Sequence, residues 1–249
     1  MILVCVKRNQ LIDVLPQLAE KAGDADILFL QNNWSGSAEI EQCLAPSRYL
    51  LGFPSLGGGR DEQGIHCVLG AETLLGEVDG RITPRLNKIA EVMREAGFKP
   101  TITDKVIPWL WTHYAAIAAI VGGLYKAGSF EALAKDSSLL KEAILAVREG
   151  EAVCRARGIH LLQLSNIRPL YLPTLLIVPV IKKVYQREET RLVFEGHAAH
   201  ADDEMRTIYH DVLAEGERLG VEMPHFRGFQ AYVDRVTTPE ATLEKKPVL

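Results

Sequence analysis

The 249-residue sequence predicts an α/β half followed by an all-helical half, on three observations. Short apolar runs of strand character recur at residues 2–6, 27–31 and 49–53, with helical stripes between them. From about residue 104 the strand pattern stops and long helical stretches take over. Cap and turn residues fall at the joints between these runs. The boundary is placed near residue 104, giving units 1–104 and 105–249.

Taken in order, ILVCV at residues 2–6 is an apolar strand that leads into Lys7. Leu11, Val14, Leu15 and Leu18 recur at helical spacing; Pro16 is expected to kink that helix and Gly23 to close it. The strand at 27–31 ends on Asn32, and a short helix near 38–43 leads to the strand at 49–53. Gly57-Gly58-Gly59 reads as a bend, followed by two short strands around 66–70 and 74–78 and a turn at Asp79-Gly80. Thr83 is the N-cap of a helix with Pro84 at its first position. Leu86, Ile89, Ala90 and Met93 form its core face, and Gly97 ends it. Residues 101–103 close the α/β half.

In the second half, a long apolar helix carries Trp109 through Tyr125. A helix over 138–157 turns Ala143, Ile144, Val147 and Cys154 inward, with Gly158 as its cap. Residues 169–181 are very apolar but too short to span a bilayer, and they carry Pro169, Pro173 and Pro179; they read as a kinked buried segment. A last helix carries Met205, Ile208, Val212, Leu213 and Leu219 and stops at Gly220. The tail from about residue 237 is polar and expected to fray.

Net charge is −4, with no basic excess to suit nucleic acid and no Lys/Arg run to suit an anionic membrane. The 4 cysteines, Cys5, Cys43, Cys67 and Cys154, make no CxxC pair, which suits a reducing cytoplasm. Cys5 and Cys154 lie on apolar runs and are expected to be small buried hydrophobes. Met1 leads straight into a strand, so no signal peptide is expected. Two parallel-type strands joined by a helix are half of a nucleotide-binding sheet. The glycine-rich turn that holds a cofactor's phosphates belongs ahead of them, and it is expected to be missing from this copy.

Four stretches carry a resemblance: ILVCVK ending on Lys7, ILFLQNN with Asn32 and Asn33, Trp111-Thr112-His113, and Glu204 placed 20 residues before Pro224 in GVEMP. In order and spacing they resemble the ketopantoate reductases (2-dehydropantoate 2-reductases), which take part in pantothenate biosynthesis. The resemblance implies an incomplete Rossmann-like domain followed by a helical, 6-phosphogluconate-dehydrogenase-like domain. It also implies NADP as cofactor, with Lys7 and Asn32 flanking the nicotinamide. Glu204 becomes a substrate-binding glutamate, and His113 stands where the family has its general-acid lysine. Asn33 replaces the family's glycine, and asparagine tolerates the left-handed conformation that a glycine there implies. A homodimer built by the helical domain is implied too. Ile117 and Val121 stand where the family has asparagines, and GHAAHADDEM lacks its serine and aspartate. A small hydroxylated acid needs polar partners, so the substrate is expected to be another 2-keto acid or related ketone.

Each candidate has a plainer alternative. His113 has the pKa range of a proton donor at neutral pH, or is an inert histidine on an apolar helix. Glu204 binds a substrate hydroxyl, or is a solvated acid in the run Asp202-Asp203-Glu204 at a helix N-terminus. Lys7 lies where open α/β sheets take ligands, or is an ordinary surface lysine. His197, His200 and Glu204 share a helical face with Asp203 nearby, yet no HExxH or cysteine pair accompanies them, so no metal is expected. Gly57-Gly58-Gly59 does not join a strand to a helix as a phosphate loop does. Ser35 and Ser37 in WSGSA lack the flanks of a nucleophile elbow. A second reading is a non-catalytic remnant that acts as a binding or dimerisation module.

Overall fold

A computed structural model describes residues 1–61, 64–160, 168–188, 190–192 and 202–235. Five strands form one sheet in the order β1 (Ile2–Val4), β2 (Ile27–Leu30), β3 (Tyr49–Asp61), β4 (Gly64–Gly76) and β5 (Pro100–Ile102). The first three run parallel; β4 is antiparallel to β3, and β5 is parallel to β4. Side-chain alternation sends the two faces of each strand to different helices. Val4, Ile27, Phe29, Tyr49 and Leu51 pack on α1 (Leu11–Lys21) and on the start of α3 (Val106–Ala127). Leu28, Leu30, Leu50 and Leu75 pack on Leu86, Ile89, Ala90 and Met93 of α2 (Pro84–Glu95). All of β2 is buried, as expected of a parallel strand covered on both faces.

The glycine triplet is not a bend. Gly57, Gly58 and Gly59 lie within β3 and pair with Val68, Cys67 and His66, so the two short strands expected after them are one long arm of a hairpin. The partner strand supplies hydrogen bonds that hold the glycines extended despite their poor strand propensity, and the irregularity falls between Pro54 and Leu56 instead. Asp79-Gly80 does turn: Gly80 N–H donates to Glu77 O at 3.1 Å, and Gly80 has φ +76°. Thr83 caps α2, its hydroxyl accepting from Leu86 N–H, with Pro84 inside the first turn.

The helical half follows with α3, α4 (Phe130–Lys135), α5 (Ser137–Ala156), α6 (Thr174–Tyr185), α7 (Asp202–Arg218), α8 (Pro224–Arg227) and α9 (Gln230–Asp234). The sequence reading missed α4, which Ser129 caps by accepting from Ala132 N–H. α3 serves both halves: Val106 and Leu110 meet the sheet, while Tyr114 onward lies in the helical core. Small residues allow close packing there; a Cβ on Gly122 would sit 2.7 Å from the Phe229 ring. By length and composition α3 alone among the described helices could cross a bilayer, yet 56% of that window is buried in the protein.

Two burial expectations fail. Residues 169–181 are not a buried segment: α6 buries Ile177 and Val178, while Leu175 is 84% exposed and Leu176 and Val180 are more than half exposed. A single buried stripe is all that one surface helix needs, and Pro179 is accommodated within it. Cys5 is exposed, because it lies beyond the last paired residue of the edge strand β1; Cys154 is buried as expected, and burial pushes its thiol up to about 12. The tail beyond 235 lies outside the described residues.

Candidate active site

The ends of β1 and β2 meet the first turn of α7. After β1 the chain runs through Lys7 into a 3₁₀ turn, Arg8–Gln10. Lys7 Nζ lies 3.0 Å from Asp203 Oδ1, and Asn9 Nδ2 donates to Asp203 Oδ2 at 2.8 Å. Glu204, 6% exposed, accepts at Oε1 from Arg8 N–H at 3.0 Å and from Asn32 Nδ2 at 3.2 Å. The expected residues Lys7, Asn32 and Glu204 thus gather around one turn of helix.

Residues not singled out from the sequence complete this cluster. The Arg8 guanidinium lies 2.6 Å from Glu39 Oε1 and 4.0 Å from Asp211 Oδ2. The Tyr114 hydroxyl donates to Asp211 Oδ2 at 2.6 Å, and Tyr125 donates to Asp202 Oδ1 at 2.7 Å. Burial and the facing Asp211 push the Tyr114 phenol well above its ordinary range. Burial raises Asp203, but bonds from Lys7 and Asn9 outweigh it and hold the carboxyl below its usual value. A cavity of about 430 Å³ runs along this face of α7, lined by Asp203, Arg206, Thr207, His210 and Asp211. The only local hint of these partners is adjacency: Arg8 follows Lys7, and Tyr114 follows His113.

His113 has different neighbours. Its ring stacks on Trp109 with centroids 5.0 Å apart and leans on Phe53 of β3 at 4.2 Å. It is half-buried on α3 where that helix crosses the sheet, while Tyr114 turns to the acidic cluster. Gln31, between β2 and Asn32, is 5% exposed, and neither atom of its amide has a hydrogen-bond partner among the described residues.

The loop after Asn32 differs from expectation. Among the described residues no non-glycine has positive φ, so Asn33 is not left-handed. Its side chain bridges the turn instead, donating to Gly36 O at 2.8 Å and accepting from Gly36 N–H at 2.7 Å, and Gly36 takes the positive φ. Trp34 then stacks on Tyr114 at 5.2 Å, and the Arg157 guanidinium lies 3.3 Å from the Trp111 ring centroid and 4.4 Å from that of Trp34. Such cation–aromatic contacts tie the loop to the helical half. His197 and His200, the histidines of the imagined metal site, lie outside the described residues, and Asp203 is engaged by Lys7 and Asn9.

No family model and no curated protein sequence matches the chain. Solved structures match it by fold. A 2-dehydropantoate 2-reductase from Geobacter metallireducens GS-15 superposes with a TM-score of 0.72 at 19% identity, over 94% of this chain and 76% of that one. A D-mandelate dehydrogenase in complex with NADH gives 0.69 at 17% identity, over 93% and 76%. The dimeric ketopantoate reductase from Staphylococcus aureus gives 0.63 at 11%, over 93% and 75%. The mostly parallel sheet followed by a helical region is therefore the Rossmann-like plus helical architecture of these reductases.

Proposed function

We propose that the chain is a reductase of a 2-keto acid or related ketone that uses NADPH, with residues 1–104 facing the cofactor and 105–249 the substrate, in the cytoplasm. The observation that carries this reading is the meeting of Lys7 and Asn32, at the ends of parallel strands, with Asp203 and Glu204 of α7. Open α/β sheets take ligands at that edge, and the unmet buried amide of Gln31 beside Asn32 suits a bound group there. When bound, the reduced nicotinamide would supply a hydride to the ketone carbon. Lys7 and Asn32 would flank the ring. Glu204 has Oε1 engaged by Arg8 and Asn32, which leaves Oε2 for a substrate hydroxyl. His113 would hold the proton that the new alkoxide oxygen requires, with Trp109 and Phe53 keeping water from that side.

The test is a panel of 2-keto acids and ketones assayed by loss of reduced-nicotinamide absorbance, with NADPH and NADH in parallel. Turnover is expected with one substrate class, and His113→Ala should lower kcat by about 10²–10⁴-fold. A His113→Ala rate near that of the parent would remove the acid role. No turnover of any ketone with either nucleotide would sink the reductase reading. The second reading, a dimerising module, draws on the exposed apolar face of α6.

A further inference from the structure

Gln31 is buried just past the end of β2. Its side chain is 5% exposed, and its amide oxygen and nitrogen both lack a hydrogen-bond partner among the described residues. An apolar residue there would be the more stable choice, so the amide calls for a partner the protein itself does not provide. The strand register places it. Phe29 pairs with Val4 on one side and Leu51 on the other. Gln31 directly follows Leu30, the last residue of β2, which pairs with Gly52, and Phe53 follows Gly52 on β3. Phe53 in turn touches Trp109 and His113. Gln31 therefore stands at the carboxyl end of β2, where open α/β sheets take ligands, one residue from Asn32.

We infer that Gln31 receives the carboxamide of a nicotinamide ring, through paired amide–amide hydrogen bonds. A free donor and a free acceptor in one plane match a second primary carboxamide, which offers the same two groups in reverse. A carboxylate at that position would meet only the donor and would bury a charge. Both atoms of Gln31 are shut off from solvent, so a neighbouring side chain must shift to admit the ring. This inference rests on the nicotinamide reading above.

The probe is nicotinamide mononucleotide, which needs no pyrophosphate site, followed by saturation-transfer NMR with the chain as it stands. Ring-proton signals are expected with the parent, about tenfold weaker with Gln31→Leu, and weaker when nicotinic acid mononucleotide replaces the amide. Without ligand, Gln31→Leu should melt about 2–4 °C higher, because it removes an unmet polar group, whereas a structural role would lower the melt. Gln31→Met serves as a second apolar variant should the leucine fail to fold. Unchanged ring signals in the folded apolar variant overturn the inference, leave the reductase reading standing and mean that Gln31 binds a buried water only. No signal from the parent with either nucleotide overturns both.

Discussion

Glu151 shows how one side chain sets a pH dependence. It is 1% exposed on α5. Burial raises it to about 7, against the pull of Tyr171, Arg148 and Arg155. Unfolded, it titrates near 4.5. Between those values the folded state holds a proton that the unfolded state has lost, so stability falls as pH rises through the window and stays low above it. The difference is on the order of 3 kcal/mol. Glu151→Gln should flatten that slope, read as melting midpoints between pH 5 and pH 8; parallel curves for both proteins would refute the assignment. Asp203 has the opposite sign. Its lowered carboxyl adds stability above its unfolded value, and that is lost as pH falls through the folded one. The two side chains are 34% and 42% exposed, so solvent screening keeps the effect small.

At the scale of elements, the β3–β4 hairpin depends on close backbone approach. A Cβ on Gly52 would stand 2.5 Å from Leu74 O and 2.9 Å from a Leu30 methyl. The carbonyl belongs to the paired strand and cannot step aside. Gly52→Ala should therefore destabilise by roughly 1–3 kcal/mol or more, measured by urea unfolding. A cost under about 0.5 kcal/mol, the range of an ordinary surface change, would show that the hairpin yields. At this same open end, Arg85 joins α2 to the buried Glu77 and reaches Tyr49 O at 3.2 Å, which locks helix to sheet. The sequence shows α2 well, because its cap and its stripe lie within a dozen residues. It misreads the glycine triplet, because pairing with a distant strand overrides local turn preference.

Across the whole molecule, an ionic seam formed by Lys7, Arg8, Asn9 and Asn32 against α7 joins residues up to 196 positions apart. On the helical half, Leu172, Leu175, Leu176, Val180 and Val184 leave an apolar stripe exposed on and just before α6. A stripe of this kind fits a second copy of the chain, as the dimerising reading requires. Leu176→Lys should then shift the sedimentation of a concentrated sample toward monomer while leaving the melt within about 0.5 kcal/mol. A parent that stays monomeric at every concentration would dismiss that reading.

By itself the sequence determined what depends on short range: the opening run of β1, α1 and β2, the Thr83-Pro84 start, the core faces of α2 and α5, and the burial of Cys154. Its likeness to known reductases named Lys7, Asn32, Glu204 and His113. Only the tertiary structure decided that Glu204 meets Asn32, that Tyr114 rather than His113 faces Asp211, and that α6 lies at the surface. Periodicity and capping are written in neighbouring residues. Which side chain meets which across the fold depends on strand register and helix rotation, and a step of one residue redirects a side chain by about 100° on a helix or to the opposite face of a strand.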